Sequence, residues 1–346
     1  MKKLMQAQAL MELECKILEA AGLPAGDAKV AAEVLTDTDL RGINTHGVFR
    51  LPLYLDRIRA GSVCARPQVS IRENRLATAV LDGGHGLGQV TGVQAMGLAI
   101  EKAGSCGVGL VSVVNGHHFG AGAYFVNMAV QKGMIGLALC NTKPLLAPAG
   151  GKAAIVGNNP IAIGIPARAY APFILDMAFS RVSHGRIRMA KMRGESIPEG
   201  WALNREGIPT TDVEEALEGI LLSVGGYKGY GLALAVDILA GMLCGAGWSD
   251  GVQSLSNLQE RQNSGQLYAA VSIEAFREPE AFLKEMDAYI GKIKVCPRQE
   301  GQEVFYPGER SARKYAENLE NGIPVPEQTF AQLAGRASDL GITITV

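Results

Sequence analysis

Histidine is scarce in this chain: 346 residues hold five, His46, His85, His117, His118 and His184. An imidazole is the side chain whose ordinary pKa lies nearest neutrality, so any proton transfer that needs one must fall on this short set. The six cysteines (Cys15, Cys64, Cys106, Cys140, Cys244, Cys296) contain no C-x-x-C pair. That removes the usual seed of a structural zinc site, leaves reduced and mostly buried thiols as the reading, and gives no reason to expect a metal. An excess of one charge is missing too, with 33 Lys and Arg against 34 Asp and Glu. No strong field steers the protein toward nucleic acid or an anionic membrane, so a small-molecule partner is expected. Uninterrupted apolar runs are nearly absent. In MKKLMQAQALMELECKILEA, Glu12, Glu14 and Lys16 break the pattern before a signal-peptide core forms, and an amphipathic helix is expected instead. The stretch Tyr230 to Trp248 has the length of a membrane span, but it carries Asp237 and is interrupted by Gly231, Gly241, Gly245 and Gly247. It is read as a buried core helix, and the protein is expected to be cytoplasmic.

What is present is enough apolar material, 47% of residues, for one large or two medium cores. Helical periodicity runs through Leu10, Leu13, Ile17, Leu18 and Ala21, then through Ala31, Val34 and Leu35, with Gly22 and Pro24 between. After Gly61 to Pro67 come strand-like runs: LATAVLD, VGLVSVV, MIGLALC, AAIVGNNPIAIGIP and FILDMA. A helix over Gln89 to Lys102 separates two of them, and another is expected to begin near Gly229. The middle is therefore an α/β layer structure. The polar, Gly/Pro-punctuated segment 181–210 predicts a loop excursion bordering the active site. NLENGIPVPEQTFAQLAGRASDLGI predicts a Pro-ended turn and a helix. Residues 1–75 and 311–346 are expected to pack as one helical domain beside an α/β domain over 76–310.

Four segments carry candidate chemistry. In LRGINTHGVFRLPLYL, Thr45 adjoins His46, Arg50 follows four residues later and Tyr54 four beyond that. On a helix these share a face, where a hydroxyl orients an imidazole and a guanidinium grips a carboxylate with two parallel bonds. Pro52 argues against an unbroken helix, and a solvated Arg beside a structurally satisfied His is the plain alternative. In VVNGHHFGAGAYF, adjacent extended side chains point to opposite faces, so one of His117 and His118 faces a given site. The glycine-rich turn that follows allows close backbone approach to a ligand; adjacent histidines are poorly placed to share a metal ion. LDGGHGLGQ imitates a dinucleotide fingerprint, but its glycines are out of register and no acidic residue ends a strand about twenty positions on, so a tight strand-to-helix turn is expected. GGYKGYGL sets Lys228 at a helix start, where it can meet phosphate or where the glycines simply permit close packing.

Taken in order, LRGINTHGVFRLPLY, GHGLGQVTG, NGHHFGAGAYF, NNPIAIGIP, LDMAFS, IPEGWALN, GYKGYGL and FYPGER resemble the malate/L-lactate dehydrogenase family that lacks a Rossmann fold. Ureidoglycolate, sulfolactate and diketogulonate oxidoreductases belong to it, with an imine-reducing piperideine-carboxylate branch. The resemblance implies a largely antiparallel or mixed sheet flanked by helices, NAD or NADP as cofactor, and a homodimer or higher homo-oligomer. It implies hydride transfer between nicotinamide and a small 2-hydroxy or 2-oxo carboxylic acid. His46 with Thr45, and His118, take the place of the proton-transferring groups, and Arg50 that of the carboxylate clamp, with Tyr54 and Asn158 toward the substrate. His118, Phe119, Gly120, Ala121, Gly122, Thr142, Asp176, Met177, Ala178, Lys228, Pro307, Gly308 and Glu309 match dinucleotide-contact positions. Three departures stand out: Thr45 replaces the usual Ser, Asn158 the usual Thr, and Arg186 an Asp of the imine-reducing branch. The last weighs against an imine substrate, and the first two motivate the competing expectation of a non-catalytic nucleotide-binding homologue.

Overall fold

The fold is taken from a computed structural model that describes residues 2–342. Strand β1 (Lys2–Met5) leads into helices α1 (Ala7–Ala20) and α2 (Ala25–Leu40), and a 3-10 turn (Val48–Arg50) runs directly into α3 (Leu51–Arg59). Strands β2 (Ser70–Asn74) and β3 (Thr78–Asp82) precede α4 (Gly88–Cys106), β4 (Val108–Gly116), α5 (Gly122–Val130) and β5 (Met134–Cys140). Then come β6 (Pro144–Leu146), β7 (Val156–Gly157), β8 (Ile161–Ile165), β9 (Phe173–Met177) and α6 (His184–Arg193). Next are β10 (Ala202–Leu203), β11 (Pro209–Thr210), α7 (Val213–Glu218), β12 (Ile220–Leu221) and α8 (Tyr227–Val236), the last prolonged by a π-helical turn (Asp237–Met242). Strand β13 (Ser264–Ser272), helices α9 (Pro279–Lys294) and α10 (Glu309–Asn321), β14 (Ile323–Pro326) and α11 (Glu327–Asp339) complete the order.

Seven strands form the central sheet in the order β2-β3-β4-β13-β5-β8-β9. Only the β3–β4 pair is parallel; the other neighbours are antiparallel. That arrangement matches the expected mixed sheet and has no doubly wound Rossmann order. Both faces are covered, which explains why the strands read as near-continuous apolar runs. Met96, Phe125, Val126 and Tyr268 fill the side under α4 and α5. Leu139, Leu146, Val236 and Leu267 fill the other, under a second five-stranded sheet and α8. Each such large side chain contributes roughly 1.5–3 kcal/mol by leaving water.

The two chain ends meet. Strand β1 pairs antiparallel with β14, and Leu10, Ile17 and Leu18 share one core with Leu51, Tyr54, Ile323 and Leu333. Neither edge strand was apparent from sequence, because each is four residues long and gains its partner across the whole chain. Segment 181–210 is also more ordered than a loop excursion. Ser183 caps α6 by accepting from the Arg186 N–H at 3.2 Å, and β10 and β11 pair within the second sheet.

The apolar stretch 230–248 corrects another expectation. Ala233, Val236, Ala240 and Cys244 face inward, whereas Leu232, Ile238, Leu239, Met242, Leu243 and Trp248 are 40–63% exposed. The small residues pack inside: a Cβ on Gly241 would come within 2.7 Å of Asn141 Nδ2 and of the Gly247 carbonyl. One face is core and the other is bare in the single chain. No helix among the described residues is long and apolar enough to cross a membrane.

Candidate active site

Parallel pairing of β3 and β4 brings the two glycine-rich turns that follow them to one end of the sheet. Asp82, the last residue of β3, accepts from the Gly84 N–H and from Asn115 Nδ2, each at 2.9 Å, so the turns are tied together. Gly88 opens α4 directly against the histidine pair. A Cβ there would lie 2.1 Å from the His117 carbonyl oxygen and 2.5 Å from that of His118. The glycines of GHGLG therefore serve a tight strand-to-helix turn and its close packing, as the out-of-register pattern predicts.

Beyond the turn the two histidines part. His117 is buried, with neither ring nitrogen hydrogen-bonded among the described residues, and lies edge-on to Tyr54 at 6.2 Å. Burial holds its pKa well below the usual histidine value, so it is a neutral core side chain. His118 faces a cavity of about 1360 Å³. Its backbone N–H donates to Gln262 Oε1 at 2.8 Å, and its Nδ1 meets the Tyr54 hydroxyl at 2.6 Å.

The Thr45–Arg50 turn forms the facing wall. Pro52 sits in the first turn of α3, where a missing N–H costs nothing, so the helix starts late and residues 48–50 wind as a 3-10 turn. Thr45 Oγ1 lies 2.9 Å from His46 Nδ1. The His46 ring stacks on that of His118 at 5.5 Å between centroids and 24° between planes. Arg50 spends only its Nε, donating to the Thr45 carbonyl at 2.8 Å. The two Nη groups of Arg50 and the Nε2 atoms of His46 and His118 have no hydrogen-bond partner among the described residues. Burial first, and the Arg50 charge second, push the His46 pKa down to about 4. Burial acts the same way on His118, reinforced by His46 and Arg50.

Of the positions singled out in sequence, Thr45, His46, Arg50, His118, Phe119, Gly120, Ala121, Thr142, Asn158, Asp176, Met177 and Ala178 line this one cavity. Asp176 accepts from the Ala123 N–H at 2.9 Å at the start of α5, and burial raises its pKa to about 6. Gly122 lies just behind, where a Cβ would come 2.6 Å from Ala162 Cβ. Thr142 Oγ1 donates to Asn158 Oδ1 at 2.9 Å.

The remaining positions are elsewhere. Tyr54 is fully buried behind His118 and reaches the cavity only through that ring. Lys228 is exposed at the start of α8 and does not border the cavity. Pro307 accepts from the Ile174 N–H, Gly308 packs on the same backbone, and Glu309 is occupied by Lys294 and Arg313. Arg186 lies over Trp201 at 5.4 Å, outside the lining. Sequence reasoning passed over Lys143, His184 and Arg188, which all face the cavity. The signal for the last two was their spacing of four on one helix. No cluster of three His, Cys, Asp or Glu side chains among the described residues is arranged to hold a metal ion.

Comparison with known proteins agrees along nearly the whole chain. The malate/L-lactate dehydrogenase family profile matches residues 5–334. The chain is 40% identical to an L-sulfolactate dehydrogenase of Methanocaldococcus jannaschii over 95% of its own length and 94% of that protein's. It is 39% identical to a malate dehydrogenase of Pyrococcus abyssi, covering 96% and 94%. A ureidoglycolate dehydrogenase (NAD(+)) of Escherichia coli is 32% identical over 92% and 91%. The solved structure of the Methanocaldococcus enzyme superimposes with a TM-score of 0.93, covering 99% of this chain and 98% of that one. The chain belongs to the malate/L-lactate dehydrogenase family.

Proposed function

We propose that this protein is an NAD- or NADP-dependent dehydrogenase that interconverts a small 2-hydroxy acid and its 2-oxo acid. The observation that carries the reading is the stacked His46–His118 pair, with Arg50 presenting two free Nη groups beside it on one cavity. At about 1360 Å³ the cavity exceeds the roughly 300–1,000 Å³ of ordinary small-ligand sites, leaving room for a dinucleotide together with a small acid. Gly120, at φ +88°, lets the backbone come close to a ligand. Gly120, Ala121, Thr142 and the Asp176–Ala178 stretch would hold the dinucleotide, with Lys228 and Pro307 to Glu309 proposed for its outlying parts. Nicotinamide, when bound, donates or accepts the hydride at C4.

The side chains divide the remaining work. Arg50 grips the substrate carboxylate through its two Nη groups. His46, held at Nδ1 by Thr45, takes the hydroxyl proton at Nε2 during oxidation and returns it during reduction. Gln89 Nε2 donates to the Tyr54 oxygen at 3.0 Å, which leaves the phenolic proton for His118 Nδ1. Neutral His118 then keeps its own proton on Nε2 and donates a hydrogen bond through it to the substrate oxygen. Asn158 sits where its amide can meet the substrate. The protein is proposed to be cytoplasmic and homodimeric, with a second copy covering the bare apolar face around Leu232, Met242 and Leu243.

A panel of 2-oxo acids and cyclic imines, offered with NADH and with NADPH, tests the reading by loss of reduced-nicotinamide absorbance. Oxidation with at least one 2-oxo acid is expected. Nucleotide binding without turnover of any of them would favour an inactive homologue, and turnover of imines alone would favour the reductase branch.

A further inference from the structure

Helix α6 carries five cationic or titratable side chains, His184, Arg186, Arg188, Lys191 and Arg193, and most are already engaged. Lys191 pairs with Glu214 at 2.7 Å, Arg193 approaches Glu195 at 3.9 Å, and Arg186 covers Trp201. His184 and Arg188 stand one helical turn apart, and both border the cavity. Lys143, next to Thr142, borders it as well. Neither the Arg188 nor the Lys143 side chain forms an ion pair or hydrogen bond among the described residues. The carboxylates that line the same cavity are spoken for. Asp56 and Asp339 hold Arg336, and Asp176 accepts from the first turn of α5. Together with Arg50, these cations face one space with no protein anion to balance them.

We propose that Lys143 and Arg188, with His184 beside them, bind a second anionic group on the substrate, so that the enzyme selects dianionic 2-hydroxy and 2-oxo acids over monoanionic ones. The assignment rests on the dehydrogenase reading above and names its substrate class. Position supports it. The first turn of α6 is packed on the reaction centre, where a Cβ on Gly185 would touch Thr45 Cγ2 at 3.8 Å. Arg188 is also near enough to Arg50, Lys143 and His184 to disfavour their charged forms, adding to the larger effect of burial. A cluster that repels itself when empty is relieved by an anion, and a substrate with carboxylates or a sulfonate at its two ends bridges Arg50 to Arg188. A dinucleotide phosphate offers the same chemistry. The contact of α6 with Thr45 favours the substrate.

The test compares kcat/KM for oxaloacetate, 3-sulfopyruvate and pyruvate in the wild type, Arg188→Gln and Lys143→Met, with the reduced nucleotide's Kd measured by fluorescence titration. The wild type is expected to favour both dianions over pyruvate by at least about tenfold, and each variant to lower the dianion-to-pyruvate ratio by roughly tenfold to a hundredfold, mainly through KM. Nucleotide Kd is expected to stay within about twofold. A wild type that prefers pyruvate, or an unchanged ratio in both variants, overturns the subsite. An unchanged ratio with nucleotide binding weakened tenfold would assign the cations to a dinucleotide phosphate instead. No turnover of any of the three acids overturns the subsite, whereas the dehydrogenase reading falls only if every 2-oxo acid of the wider panel is inert as well.

Discussion

The phenolic oxygen of Tyr54 lies 2.6 Å from Nδ1 of His118, joining two residues separated by 64 positions in the chain. Tyr54 comes from α3, whose delayed start is set by Pro52, and His118 from the turn after β4. Gln89, on α4, closes the relay from the other side. Three elements thus converge to set which nitrogen of His118 carries a proton and how its ring is aimed at the cavity.

Replacing Tyr54 by Phe removes that control while keeping the ring that fills the core. Gln89 and His118 Nδ1 then lose a buried partner, and a loss of about 1–3 kcal/mol in stability is expected from urea denaturation. Turnover is expected to fall by roughly tenfold or more, because nothing then fixes the His118 tautomer or holds its ring toward the cavity. Wild-type turnover in this variant would show that the relay is structural only.

Arg50→Lys keeps the charge and removes the planar fork. The prediction is a raised KM for the acid substrate, about tenfold or more, with nucleotide affinity little changed. Steady-state kinetics at saturating nucleotide measures it, and an unchanged KM would refute the clamp.

With its pKa pushed down to about 4, His46 is neutral and competent as a base across the physiological range. Alcohol oxidation therefore keeps its kcat/KM as pH falls below the ordinary histidine value of about 6.5, and loses it only on approaching pH 4. The reverse reaction needs the protonated ring in the free enzyme, so its kcat/KM is expected to increase toward acid pH. An acid limb centred on the ordinary histidine value in the oxidation direction would contradict the buried environment assigned to His46.

Asp39 supports the same turn from beneath. Its Oδ2 accepts from the Val48 N–H at 2.7 Å, and its carboxyl lies within about 2.3 Å of where a Cβ on Gly47 would stand. Burial raises its pKa to about 7, partly offset by the Val48 bond. A raised folded-state pKa means a contribution to stability that is complete below the unfolded value near 4 and lost as pH rises to about 7. His46 and His184, both lowered to about 4, act in the opposite sense, losing their contribution as pH falls toward that value. Asp39→Asn isolates the first effect, since the amide still offers an acceptor to Val48. Relative to the wild type, the variant is expected to gain stability steadily between pH 4.5 and 7.5 in denaturant titrations. Parallel curves would show that Asp39 is not protonated in the fold.

Much of this was legible in the chain because it rests on local patterns. The near-continuous apolar runs of β4, β5 and β8 mark strands buried on both sides, and the out-of-register glycines around His85 mark a turn. Thr45, His46 and Arg50 were visible as a spaced set, and the choice between His117 and His118 followed from strand alternation, although only the tertiary structure says which one faces inward. The pairing of β1 with β14 left no such mark, since four residues at each end gain a partner only through the fold. Helix α6 was hidden by its polarity, and with it the placement of His184 and Arg188. Lys143 has no periodicity to betray it. The apolar stretch after Tyr230 misled for a different reason: hydrophobicity records that a surface avoids water, not which molecule covers it. Lys228 looked like a phosphate ligand beside its glycines, yet it stands clear of the cavity in the single chain.

The central claim is that His46 moves the substrate proton. Turnover and nucleotide Kd of His46→Gln, measured side by side with the wild type on the best 2-oxo acid, address it most directly. A loss of about 10²–10⁴ in turnover with nucleotide affinity intact is predicted. Turnover equal to the wild type would take the imidazole out of the reaction.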